Sequence, residues 1–156
     1  MIEQVTLSDV VKVRHELLRP NQVAAATVTK VDHHPRTVHF GAVVANKIVG
    51  VVSTGPEAFP ADDAIIAWRL RGFAVYPQYR RQGIGTALLQ ALKLHLSGTE
   101  CELLWAYARC TALTTYTRSG FECFGPEFDI PPTGLHNIIC MRNSARKEAE
   151  TGGPHQ

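Results

Sequence analysis

The segment Arg80-Arg81-Gln82-Gly83-Ile84-Gly85 sets two guanidinium groups and two glycines directly before an apolar run, Ile84, Ala87, Leu88, Ala91, Leu92 and His95, whose spacing is helical. A helix beginning there exposes its first backbone N–H groups, which have no intrahelical acceptor, and its dipole adds partial positive charge at the same end. Glycines at 83 and 85 let an oxygen-rich group approach that backbone, and Arg80 and Arg81 bring full charge beside it. The chemistry that fits is a phosphate or pyrophosphate cradle; an ordinary tight turn is the other outcome these residues alone permit. Two familiar phosphate loops are excluded. A nucleotide P-loop requires Gly-Lys-Ser/Thr, and a dinucleotide loop requires a third glycine where Leu88 stands.

The remaining metal-ligating and nucleophilic types point elsewhere. His33, His34 and His39 lack an i,i+4 or carboxylate-paired pattern, so they read as solvated loop histidines and no metal is expected. Cys101, Cys110, Cys123 and Cys140 form no CxxC pair and read as reduced thiols. A formal charge of +2 on 156 residues gives no bulk attraction to nucleic acid or membrane. The N-terminal stretch has early acidic residues and no long apolar run, so neither a signal peptide nor a membrane span is expected, and the default location is cytoplasmic.

The elements that must position the cradle follow from periodicity and breakers. Ile2 to Val5 reads as a short strand, then Thr6 or Ser8 caps a helix with Val10, Val13, Leu17 and Leu18 on its apolar face, ending before Pro20. Asn21 to Pro35 is irregular, either loop or a weak second helix. Val38 to Val44 and Ile48 to Ser53 form a hairpin around Ala45-Asn46-Lys47, and Ala64 to Val75 is a strand broken by Tyr76-Pro77-Gln78-Tyr79. The helix opened at Ile84 stops at Ser97-Gly98. Cys101 to Tyr107 is a strand, Thr111 to Ser119 a short helix closed by Gly120, and Phe121 starts another strand. GPEFDIPPTG is a loop, and His136 to Met141 is a last strand. The expectation is an α+β fold in a single domain, residues 1–143, with a polar tail, 144–156, that is disordered.

In the second half of this α+β chain, the sequence resembles the GCN5-related N-acetyltransferases (GNAT). RRQGIG, Arg80 to Gly85, is similar to that family's Arg/Gln-x-x-Gly-x-Gly/Ala acetyl-CoA signature, preceded by LRGFAV and followed by TALLQAL. ALTTYTRSGF, Ala112 to Phe121, is similar to its Ala-x-x-x-Tyr-x-x-x-Gly-Phe segment, and together the two matches cover Leu70 to Phe121. VRHELLRP, HFGAVV and IPPTGLHNIICM resemble one subgroup, from which no substrate follows.

The resemblance implies a mixed, mostly antiparallel central sheet flanked by helices, with a splayed strand pair and a pyrophosphate loop. It implies acetyl-CoA as cosubstrate, no metal, and direct acetyl transfer to a primary amine on a small molecule or a protein, by a monomer or homodimer. Phe73, Ala74 and Val75 would pair with the pantetheine arm, and the Val75 N–H would meet the thioester carbonyl. Arg81, Gln82, Gly83, Ile84, Gly85 and Thr86 would hold the pyrophosphate, with Arg80 close by. Tyr116 would reprotonate the departing thiolate; outside the matched segment it reads as a tyrosine packed on a short helix.

Three departures from the family pattern bear on function. Arg71 and Gly72 stand where many relatives carry a basic carboxylate, leaving water, Glu102, Glu122 or His136 as proton acceptors. Arg71 either binds a carboxylate or phosphate on the acceptor or lies on the solvent face of its strand. Tyr107 or Arg109 stands where many relatives have an asparagine that touches the pantetheine. A non-catalytic acyl-CoA sensor is the alternative class.

Overall fold

Alternating apolar residues in the middle of the chain fold into one seven-stranded sheet, and the spaced apolar faces of two long helices cover parts of its opposite sides. The computed structural model describes residues 1–143; the tail expected to be disordered lies outside the described residues. The strands are β1 (Ile2–Gln4), β2 (Val38–Val44), β3 (Lys47–Pro56), β4 (Ala67–Val75), β5 (Leu103–Arg109), β6 (Glu122–Ile130) and β7 (Gly134–Arg142). Their spatial order is β1-β2-β3-β4-β5-β7-β6, and every neighbouring pair is antiparallel except β4–β5. The helices are α1 (Leu7–Leu18), α2 (Ile84–Leu96) and α3 (Leu113–Arg118). This is the mixed, mostly antiparallel α+β architecture that the sequence led us to expect.

Helix α1 starts at Thr6, whose side chain accepts from the Asp9 N–H while Asp9 reaches back to the Thr6 N–H, closing a capping box. Val10 and Val13 pack with Val51 and Ala74 on one face of the sheet. On the opposite face Leu88, Leu89, Leu92 and Leu96 of α2 are almost fully buried against Phe40, Val52, Trp68, Leu70 and Leu104. Burying each such leucine contributes about 2 kcal/mol. The β2–β3 hairpin turns through Ala45 and Asn46, both at positive φ, in the two-residue geometry that matches strand twist.

One open segment is settled and another differs from expectation. Asn21 to Pro35, open between loop and weak helix, is irregular chain with no α-helix that carries two single 3-10 turns, Ala24–Thr27 and Lys30–His33. The segment expected as the loop GPEFDIPPTG is mostly strand: β6 runs to Ile130 with a bulge between Phe124 and Phe128. Pro126 lacks an N–H, and it is tolerated because it falls within that bulge on an edge strand. Among the described residues no helix is long and apolar enough to cross a membrane.

Candidate active site

Strands β4 and β5 pair only over Ala67, Trp68 and Arg69, opposite Leu103, Leu104 and Trp105; beyond them the two part. On its other edge β4 stays paired to β3, with two residues, Gly72 and Phe73, facing the single Val52. Gly72 takes this bulge at φ +58°, and a Cβ there would lie 2.4 Å from Arg14 Nε, so only glycine fits. The Tyr76 N–H donates to the Val49 carbonyl of β3 at 2.9 Å. Successive N–H groups alternate between strand edges, so the Val75 N–H faces the gap left by the splay. The Val75 carbonyl accepts from Arg80 Nε at 3.0 Å, tying the following loop to the same gap.

That loop passes through a 3-10 turn, Pro77–Tyr79, and two left-handed residues, Arg81 (φ +63°) and Gly83 (φ +80°), before α2 begins. The first intrahelical bond runs from Ala87 N–H to the Gly83 carbonyl. Ile84, Gly85 and Thr86 therefore carry N–H groups with no intrahelical acceptor, and Gly83 provides no capping side chain. No acidic residue occupies the first turn. A Cβ at Gly83 would meet nothing within 4 Å, so the space above the helix end is open and Arg80, Arg81 and Gln82 border it exposed. Donors, dipole and open space fit a pyrophosphate. Gly85 has a different reason: a Cβ there would come 3.1 Å from Phe73 Cζ. The sequence reading assigned both glycines to ligand approach, whereas the second makes room for a ring of the protein itself.

Phe73 packs edge-on against Tyr116 with ring centroids 5.5 Å apart, and Phe121 does the same from the other side at 5.5 Å. The tyrosine sits on α3 with 6% exposure. Burial pushes its phenol far above the ordinary tyrosine range, so the group keeps its proton at any working pH. Phe73 and Tyr116 share a cluster with the buried leucines of α2, so phenol, β4 and cradle are carried on one face of the sheet.

The candidate bases separate clearly. Glu102 precedes β5 at the closed end of the β4–β5 pair, where its carboxylate accepts from the Ile66 N–H, so it is removed from the gap. Glu122 opens β6 opposite Cys140, which in turn pairs with Trp105, and this places it exposed and two strands from the splay. His136 pairs with Arg109 at the open end of β5 and is 6% exposed. Its Nδ1 donates to the Gly134 carbonyl at 2.7 Å, which leaves Nε2 as the lone-pair nitrogen of the neutral ring.

The face toward α1 carries a polar network that sequence reasoning missed. Arg14 forms a bidentate pair with Asp32 at 2.9 and 3.0 Å and donates to the Thr27 carbonyl and to Ser53 Oγ. The two charged side chains are 3% and 1% exposed. Burial alone would raise the Asp32 carboxyl, but the hydrogen bonds from Arg14 and the Thr29 N–H outweigh it and hold the group below its ordinary value. His39, expected as a solvated loop residue, is instead buried on β2 with Nδ1 2.6 Å from Ser53 Oγ; burial, then the nearby Arg14 charge, lower its pKa. Arg71 is half-buried rather than on a solvent face and donates to Thr29 Oγ1. Two signals for this network were present: an arginine at 14 on the apolar stripe of Val10, Val13 and Leu17, and the Thr29-x-x-Asp32 capping pattern.

The acetyltransferase (GNAT) domain family matches residues 35–123. An uncharacterized N-acetyltransferase of Bacillus subtilis (strain 168), YitI, is 28% identical over 138 residues, covering 88% of this chain and 93% of that protein. Among solved structures, Arabidopsis thaliana NAA60 with a bisubstrate analogue superposes with a TM-score of 0.73 at 17% identity, covering 91% of this chain and 97% of that one. Its complex with acetyl-CoA gives 0.71 at 15% identity, covering 92% and 98%. At these identities the structural likeness speaks for the fold. The family match spans more than half of the chain and includes the splay, the cradle and Tyr116, and the chain belongs to the GNAT acetyltransferases.

Proposed function

We propose that this GNAT acetyltransferase moves the acetyl group of acetyl-CoA directly to a primary amine, with residues 1–143 acting as one catalytic unit. The observation that carries the reading is the β4–β5 splay, which runs from the inward-facing Val75 N–H to the uncapped N-terminus of α2. Acetyl-CoA as cosubstrate supplies an activated thioester. Phe73, Ala74 and Val75 offer strand edges to its pantetheine arm, and Gln82, Gly83, Ile84, Gly85 and Thr86 receive its pyrophosphate beside Arg80 and Arg81.

When the amine nitrogen attacks the carbonyl carbon and the C–N bond forms, negative charge gathers on the oxygen that the Val75 N–H faces. As the C–S bond breaks, Tyr116 gives its phenolic proton to sulfur, and the phenolate regains a proton from solvent before the next turnover. The amine proton leaves by water, and the lone pair on His136 Nε2 is the protein acceptor we assign to that route.

The cofactor half is tested by calorimetry of CoA and acetyl-CoA on the wild type and on Gly83→Glu. That position has open space above it, so the variant introduces a carboxylate without a steric clash, at a backbone cost of about 1–2 kcal/mol for a left-handed residue. Micromolar binding lost in the variant supports the cradle. A folded wild type that binds neither compound refutes the transferase reading.

A further inference from the structure

The cofactor-facing side of the sheet is occupied by α2, α3 and the cradle, so an acceptor has to reach the splay from the α1 side. Arginine dominates there. Arg69 is the last β4 residue paired to β5; Arg71, the next on that face, is the first beyond the parting of the strands. On β4 and α1 the face carries Arg69, Arg71 and Arg14, and Arg109 lies on it at the open end of β5; Asp32 binds Arg14, and Glu57 binds Arg69 at 2.9 Å. Among the described residues Arg71 has no carboxylate partner. Its Nη1 is held by Thr29 Oγ1, and its Nε and Nη2 make no hydrogen bond yet are not sealed from solvent, unlike Arg14 Nε and Arg69 Nε. Burial first and then repulsion from Arg69 push its pKa down to about 10, against a partial offset from the Asp32 and Glu57 charges.

Beside this cation runs an aromatic wall. The Arg69 guanidinium lies 4.9 Å from the ring centre of Tyr107, Tyr107 meets Phe128 at 5.8 Å, and Phe128 meets His136 at 6.3 Å. Strand pairing puts these residues on one face, at the open end of β5.

We propose that Arg71 binds a carboxylate of the acceptor, which makes the substrate class a primary amine that also carries a carboxylate. The free Nε and Nη2 form one edge of the guanidinium fork, which matches the two oxygens of a carboxylate. Anchoring the carboxylate at Arg71 leaves the amine end free to enter the splay. Tyr107 and Phe128 then flank the aliphatic part of the molecule. The inference rests on the transferase reading for its site, but its binding component is measurable without turnover.

The test compares matched amines by thiol release from acetyl-CoA: lysine against cadaverine, and 4-aminobutyrate against propylamine, with phosphoethanolamine as the rival anion. The expected result is a preference of about 10- to 100-fold in kcat/KM for the carboxylate member of each pair, the size of a charge-assisted hydrogen-bonded contact. In Arg71→Gln that ratio falls to near one and in Arg71→Lys it is intermediate, while CoA affinity, unchanged in both, reports intact folding. Calorimetry of lysine and 4-aminobutyrate on the CoA complex provides the second readout. Arg71-dependent binding with no thiol release from any amine supports the carboxylate site and refutes the transferase reading. Equal kcat/KM within both pairs, a preference for phosphoethanolamine, or a carboxylate preference that survives Arg71→Gln overturns the proposal and leaves the transferase reading standing.

Discussion

Replacing Tyr116 by phenylalanine removes one oxygen from a side chain that is 6% exposed and wedged between Phe73 and Phe121. Both ring contacts survive the change. The phenol makes no hydrogen bond to another described residue, so its loss leaves no partner stranded and shifts stability by no more than about 1 kcal/mol. Catalysis responds differently. A positioned proton donor contributes roughly 10²- to 10⁴-fold, equivalent to about 3–5 kcal/mol of barrier, and this is the loss expected in kcat. Because burial raises the Tyr116 pKa, the phenol stays protonated through the range in which amines are assayed, and the wild-type profile has no descending alkaline limb from this residue. The assay pairs thiol-release kinetics from pH 6 to 10 with calorimetric Kd for CoA and a thermal melt. A Tyr116→Phe variant that keeps kcat within about threefold of wild type refutes the acid role. So does a fall in kcat matched by an equal loss of CoA affinity, since that result makes Tyr116 a packing residue of the binding site.

Gly85→Ala sets a methyl 3.1 Å from Phe73 Cζ, so the ring must move by a few tenths of an ångström and carry Tyr116 with it. A glycine-to-alanine change in the first turn of a helix stabilises by up to about 1 kcal/mol, so the expected outcome is an unchanged or raised Tm with reduced kcat, restored by a second change, Phe73→Leu. Asp32→Ala leaves the Arg14 charge buried and unanswered and should cost about 3–5 kcal/mol in urea unfolding, whereas the apolar double replacement Arg14→Met, Asp32→Leu should cost much less. Acid stability should fall in two steps. His39 has a lowered folded pKa, so its neutral-state stability is present above about pH 6.5 and is lost as pH falls below it; Asp32, also lowered, holds its contribution above about pH 4 and loses it below. His39→Asn should remove the upper step of a Tm-against-pH curve and keep the lower.

The cofactor half was legible because it is built from backbone, and backbone chemistry writes itself into sequence as breakers and small residues. Arg80 to Gly85 announces a loop meeting a helix, and the structure ends β4 and starts α2 there. The face proposed for the acceptor is built from side chains brought together across long separations: Arg14 with Asp32 and Ser53, and Arg71 with Thr29. Periodicity registers only that 14 is a charged residue on an apolar stripe. The Gly125-Pro126 dipeptide misled for the opposite reason, since a strand edge with no outer neighbour accepts a proline and a bulge that an inner strand would reject. His39 looked solvated through its nearness in sequence to His33 and His34, yet β2 pairing turns it beneath the 3-10 segment.

The two halves meet at the β4 bulge. Gly72 lets the strand take an extra residue, and this change of phase puts Phe73 on the cofactor face while Arg71 and Ala74 stay on the α1 face. Arg14 lies against Gly72, pinned from behind by Asp32, so the Lys30–His33 turn, α1 and the bulge form one buried polar unit. The same unit sets the backbone that aims the Val75 N–H and the start of the strand that presents Arg71. A carboxylate at 71 or 72 could serve as a base; with an arginine there, the proposed reading gives the position to recognition and proton removal to water and His136. The exchange is physically consistent only if the acceptor brings its own negative charge. Without one, Arg71 remains a half-buried cation with no carboxylate partner among the described residues, its pKa lowered first by burial.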